Sequence, residues 1–285
     1  MMVGFYQASA QEEEAKADTT SLWKKTGSVG LNFANVGLEN WAGGGVSSVS
    51  TGFIGNLKAT RESDHTVWSH QLDIAYGVLK QRGNATFRKT DDQFIYLSQY
   101  GYKLTENWLI TTTLNFRTQL APGYEYGEDA NGNETRTKIS NLLSPGYLTV
   151  NTGITYKKGD IFTATFSPAT VKNTFVLDDD VDETSFGLNE GESVRSEFGT
   201  TLLSSLNLKV MENVNFSSNL SLFASYASLG EIDVNWEALI AMKVNKYINA
   251  SFGTQLIYDE DIAIDGVNSK IQFKHALTIG FGITF

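Results

Sequence analysis

The chain closes on Ile271-Gln272-Phe273-Lys274-His275-Ala276-Leu277-Thr278-Ile279-Gly280-Phe281-Gly282-Ile283-Thr284-Phe285. The odd positions are large and apolar apart from His275. The even positions are polar or tiny. A strict period of two marks a β-strand with one face on an apolar phase and the other on a polar one. The same alternation recurs upstream. Trp108, Ile110, Leu114 and Phe116 oppose Thr111, Thr113, Asn115 and Arg117, whereas Ile232, Val234, Trp236, Ala238, Ile240 and Met242 oppose Asp233, Asn235, Glu237 and Lys243. Twelve segments follow this rule, near 26–35, 47–60, 66–79, 92–103, 107–119, 147–157, 160–168, 193–210, 213–226, 232–244, 247–258 and 271–285. The last residue of the seventh segment is set by Pro168, which cannot donate to a ladder.

Two features separate a membrane barrel from a soluble sandwich. The polar face is built from Gly, Ser, Thr and Asn with scattered charges, which suits a wet lumen better than a Lys- and Glu-rich solvated sheet. The connections also alternate in length. Those at Arg61–His65, Thr105-Glu106, Lys158-Gly159, Met211-Glu212 and Asn245-Lys246 are short, whereas Val36–Val46, Gln81–Asp91, Ala121–Gly146, Ser167–Glu192, Ala227–Glu231 and Asp259–Lys270 are mostly longer. The expectation is an all-β transmembrane antiparallel barrel of about 12 strands, with short periplasmic turns, long extracellular loops and both termini periplasmic. Aromatics support two interfacial girdles: Trp68, Trp108, Tyr156 and Tyr247 near the short turns, and Tyr76, Phe94, Tyr226 and Tyr258 near the long loops.

Composition agrees and excludes alternatives. The 285 residues are 41% hydrophobic, 12% aromatic and only 19% charged, with a net charge of −10 and no Cys. The absence of Cys removes disulfide scaffolds, thiol catalysis and Cys-ligated metals. An acidic chain without a grouped basic cluster is a poor nucleic-acid binder. At the amino end, Ala8-Ser9-Ala10 fits a small-x-small cleavage site, so residues 1–10 read as the remnant of a signal peptide, 11–22 as a polar periplasmic lead-in and 23–285 as the barrel.

The terminal Phe285, with Phe281 and Phe273 on the same face, resembles the carboxyl-terminal aromatic signal read by the outer-membrane insertion machinery of Gram-negative bacteria. The opening Trp23-Lys24-Lys25-Thr26-Gly27, then Leu31-Asn32-Phe33 and Asn40-Trp41-Ala42-Gly43-Gly44-Gly45, resembles an uncharacterised Bacteroidota outer-membrane β-barrel family, domain of unknown function 3078. That resemblance implies an outer-membrane location, contact with outer-membrane lipid and lipopolysaccharide, and no assigned activity.

Catalysis finds little support in these residues. A barrel lipid hydrolase needs a His and a Ser on one face within hydrogen-bond reach. None of the three His begins a His-x-Ser motif, and Ser69 and His70 point to opposite faces of one strand. No catalytic, metal or cofactor set is assigned. The inward positions are more informative: Lys58, Asp73, Lys103, Arg117, Arg195, Glu197, Lys209, Asp233, Glu237, Lys243 and Lys274 project into the lumen. They suit either a charge-selective path for a small solute or a salt-bridged filling of a closed barrel. Arg195, Glu197, Asp233 and Glu237, on the eighth and tenth segments, are expected to form a cross-lumen cluster. The expected activity is a small-solute channel or transport accessory, and the alternative is a non-conducting barrel whose outer loops bind a partner. The three longest loops carry the acidity, at −6 for Ser167–Glu192, −2 for Ala121–Gly146 and −3 for Asp259–Lys270. They read as solvated surface rather than Ca²⁺ sites, and Asn40–Gly45 reads as a tight external turn.

Overall fold

The computed structural model describes residues 22–36, 47–83, 86–245, 247–259, 263–264, 267–268 and 271–284. The residues read from the sequence as a signal-peptide remnant, nearly all of those read as a lead-in, the Asn40–Gly45 segment expected to turn, and Phe285 therefore lie outside the described residues. Twelve strands form one closed antiparallel barrel: β1 (Trp23–Val36), β2 (Ser48–Glu62), β3 (Thr66–Gln81), β4 (Arg88–Lys103), β5 (Trp108–Thr118), β8 (Gly146–Lys158), β9 (Phe162–Phe175), β10 (Val194–Met211), β11 (Val214–Ser225), β12 (Ile232–Lys243), β13 (Ile248–Tyr258) and β16 (Gln272–Thr284). Each pairs with its neighbour in sequence, and β1 closes on β16 through Ser28↔Thr284 to Leu31↔Phe281. Two small hairpins stand in the long connections: β6 (Gly123–Glu128) with β7 (Glu134–Ser140), and β14 (Ala263–Ile264) with β15 (Val267–Asn268).

The outer face is what makes this a membrane protein. Leu277, Ile279 and Phe281 succeed one another on β16 and are 70%, 69% and 68% exposed. Large exposed apolar side chains recur on the same face of the other barrel strands, including Leu31, Phe53, Ile110, Ile154, Phe198, Leu202 and Trp236. In water such a belt would be an untenable apolar patch. Against hydrocarbon it is the expected exterior of a closed barrel. Aromatic rings mark the border at the short-turn end. Trp23 meets Trp68 at 5.8 Å, Trp68 meets Tyr100 at 6.3 Å, and Trp108 meets Tyr156 at 5.1 Å.

Three sequence expectations need correction. The seventh strand does not stop at Pro168 but runs on to Phe175. Pro168 sits where both neighbouring ladders slip, between Thr152 and Ile154 on β8 and between Gly199 and Thr201 on β10. A residue without an N–H is tolerated at such a bulge, because no ladder bond is asked of it. Second, Ala121–Gly146 is not plain loop, since it holds the β6–β7 hairpin. Third, β4 begins at Arg88, four residues early, so the connection after β3 spans only residues 82–87.

Candidate functional site: a charged, constricted lumen

The register separates the two faces without ambiguity. Asn56 on β2 pairs with Asp73 on β3, and its amide donates to the Asp73 carboxylate, to which Gln71 Nε2 also donates at 2.8 Å. These positions alternate with the outward Leu57, Leu72 and Ile74, so Asp73 faces inward. Small polar residues cover most of the inner wall. Thr111, Thr113, Asn151, Thr155, Thr165, Ser167, Thr170, Thr201, Ser217 and Ser251 are all buried. Several bond one another across strands, as Thr155 with Thr165 at 2.7 Å and Ser167 Oγ with Asn151 Oδ1 at 3.1 Å.

Near the long-loop end the lumen is crossed by charge. Lys172 Nζ lies 2.7 Å from Asp233, 3.6 Å from Glu197 and 3.6 Å from Asp259. Glu197 is its neighbour on β10, but Asp233 belongs to β12, with β10 and β11 between, and Asp259 follows β13. The lysine therefore reaches past two strands, over the Phe223 ring at 5.2 Å, to the far carboxylates. Arg195 adds a second cation, with Nη2 3.1 Å from Glu197 and Nη1 donating to the Gly187 carbonyl at 3.0 Å. Among the described residues, three carboxylates and two cations thus meet in one section of the lumen.

A second layer lies deeper. Glu237 accepts from Gln255 Nε2 at 3.1 Å, and Gln255 stands opposite Lys274 on β16. Glu237 is also within electrostatic reach of Arg117 on β5 and of Asp73 on β3. Beside it Leu239 is buried against Ile54 of β2, four strands away around the barrel. Side chains from walls a third of the circumference apart therefore touch inside the lumen, which narrows the section there.

The remaining predicted residues lie at the short-turn end. Lys58 is within electrostatic reach of Lys24 and Lys157. Lys103 Nζ contacts Glu62 at 2.5 Å and donates to the Ser63 carbonyl at 2.9 Å. Lys209 and Lys243 are exposed near the ends of β10 and β12. Of the four residues expected to cluster, Arg195, Glu197 and Asp233 come together, whereas Glu237 belongs to the separate deeper layer. Lys172, the centre of the constriction, and Asp259 were placed in loops by the sequence. Extending β9 past Pro168 in phase with Thr165 and Ser167 would have put Lys172 outward; the slip at Pro168 shifts the phase by one residue, so that Thr170, Lys172 and Thr174 face inward.

The acidic connection 176–193 is an ordered cap with a small core of Val176, Val181 and Leu188 against Phe186. Its 3₁₀ turn, Glu183–Phe186, lies against β14 of the opposite loop. Asp178 accepts from Asn141 Nδ2 at 2.5 Å and from Lys138 Nζ, and Lys138 also reaches Asp180 at 2.6 Å. The Asn141 bond first, then the Asp180 amide and Lys138, hold the Asp178 carboxyl below the ordinary range. Thr184 and Ser185 lower Asp182, the Gly191 amide lowers Glu183, and the two aspartates raise Lys138. Carboxyls lowered by folding stabilise the cap above their ordinary range and lose that contribution as pH falls through the lowered native values. A raised lysine stabilises below its ordinary value and is lost only as pH rises through the raised one. Hydrogen exchange at the Asp180, Thr184 and Gly191 amides, corrected for intrinsic rate, should therefore stay constant from about pH 5 to 9 and accelerate below about pH 4.

Outside the lumen, His70 is on the lipid face, with Nδ1 2.9 Å from Tyr96 Oη, and Ser98, opposite it on β4, is bonded by the Trp68 indole at 3.2 Å.

The fold and this lumen define a twelve-stranded transmembrane β-barrel. A family model described as a protein of unknown function (DUF3078) matches residues 33–124, from the end of β1 into β6. No curated protein sequence matches the chain. Among solved structures, the chain is similar to the COG4313 outer membrane channel from Pseudomonas putida F1, at 11% identity over 92% of this chain and 95% of that one, with a TM-score of 0.43. It is similar also to the NanC porin (8% identity, 91% and 97% covered, TM-score 0.39) and to the translocator domain of the autotransporter NalP from Neisseria meningitidis (9%, 92% and 87%, TM-score 0.41).

Proposed function

We propose that this barrel resides in the outer membrane of a Gram-negative bacterium, with both termini and the short turns in the periplasm, and conducts small solutes through its polar lumen. Even strand number and the alternation of short turns with long loops support the location and orientation. The observation that carries the reading is the Lys172 constriction, because charged groups gathered in a polar passage are the means by which pores select ions. Planar-bilayer recording tests it. Stable ohmic steps of small amplitude are expected, and Arg195→Gln should shift the reversal potential toward cations. Silence from protein that still shows the heat-dependent gel shift of a folded barrel refutes it.

The second reading is a non-conducting barrel that presents its loops to a partner. It is favoured by the Ile54–Leu239 contact across the lumen and by the loop cap, and the same silence is its expected result.

A further inference from the structure

The short-turn mouth has the opposite charge to the rest of the molecule. Lys24, Lys58, Lys103, Lys157, Lys209 and Lys243 all occupy inward register positions within four residues of a strand end at this mouth, on six different strands. Trp23 packs on the outward Trp68, which turns Lys24 inward, and the buried Thr155 does the same for Lys157. Lys58 lies within electrostatic reach of Lys157 although β3, β4 and β5 separate their strands, so the side chains converge on the lumen. The counter-charges are few. Glu62 takes Lys103 at 2.5 Å, and the fully exposed Asp160 stands 3.7 Å from Lys157. Lys24, Lys58, Lys209 and Lys243 have no salt bridge among the described residues. Among the described residues the other carboxylates at this end, Asp64, Glu106 and Glu212, are on the turns.

A ring of like charge at a low-dielectric mouth focuses its field along the axis, and lysine rings are how pores concentrate anions and phosphates. We infer that the short-turn mouth is a binding vestibule for small multivalent oxyanions, solutes carrying two or more phosphate or carboxylate groups. This deepens the solute-path reading and rests on its premise that the lumen is wet at this end, but it does not require conduction.

The test is calorimetric binding of inorganic tripolyphosphate, and in a second arm citrate, to the detergent-folded full chain at low ionic strength. Binding of at least one probe to the unmodified chain is expected, and the two arms tell phosphate from carboxylate. Changing Lys24, Lys58, Lys209 and Lys243 together to Gln should weaken it at least ~10-fold. Lys25→Gln with Lys158→Gln, at the same end but on the outward face, should leave it within about twofold. The gel shift reports folding, and if the fourfold variant fails it, Lys58→Gln and Lys209→Gln singly should each weaken binding about 2–3-fold. Absence of binding of both probes, or equal loss in the inward and outward variants, overturns the inference. Binding without current leaves the vestibule standing and removes the channel, and current without binding does the reverse.

Discussion

Gly153→Val and Gly199→Val should each abolish the folded barrel, leaving protein without a heat-dependent gel shift. Both glycines flank the bulge at Pro168. A Cβ on Gly153 would meet the Phe166 carbonyl oxygen and the Ser167 backbone, and one on Gly199 would meet the Ala224 carbonyl and the Phe223 ring 2.9 Å away. The obstacle at both sites is backbone rather than a side chain that can swing aside. The ladders on either side are already irregular, between Thr152 and Ile154 and between Gly199 and Thr201, so the strands cannot slide apart without losing further bonds. Ordinary overpacking costs about 1–3 kcal/mol, and these sites should exceed that range because the strand itself must move. Gly132→Ala is the control. Its added Cβ meets nothing, and its turn stands outside the barrel, at the tip of the β6–β7 hairpin. It should keep the gel shift despite a positive φ of 78°.

Lys172→Gln should raise single-channel conductance and turn the pore toward cations. The substitution removes the cation that, among the described residues, binds Glu197, Asp233 and Asp259 together, and opens the bridge from β9 to β12. Removing one partner of a desolvated ion pair costs roughly 3–5 kcal/mol where no water or counter-ion can enter. In a wet lumen a mobile cation replaces the lysine, and the loss appears in selectivity instead of stability. Adding Asp233→Asn to Lys172→Gln should restore part of the original ion preference, because it lowers the uncompensated charge. If the double variant is as cation-selective as the single one, the constriction is not where ions are chosen.

The barrel itself was legible because lipid and lumen impose opposite demands on alternate residues. In Ile271–Phe285 nothing else produces eight large or aromatic side chains at every second position. Connections of unequal length distinguished the two ends of the barrel from each other. The inner-face residues were readable for the same reason, since Arg195 and Glu197, or Asp233 and Glu237, differ by even numbers. What a period of two cannot convey is which residues face each other across a closed lumen. That depends on strand tilt, stagger and flattening of the section, so Lys172 with Asp233, or Ile54 with Leu239, could not be paired from the chain. Lys172 was hidden further by Pro168, whose usual meaning as a strand end is reversed at a bulge. Asp259 was hidden by its place one residue past the end of β13.

The absence of native Cys makes one measurement decisive for the claim that solutes pass the Lys172 constriction. A Lys172→Cys barrel is recorded in a planar bilayer before and after adding aminoethyl methanethiosulfonate, which rebuilds a lysine-like ammonium through a mixed disulfide. The account predicts a raised, cation-selective current that falls back toward the unmodified level in discrete steps and recovers on reduction. A current that ignores the reagent, although the thiol is shown to be labelled, or no current from a folded barrel, would contradict it.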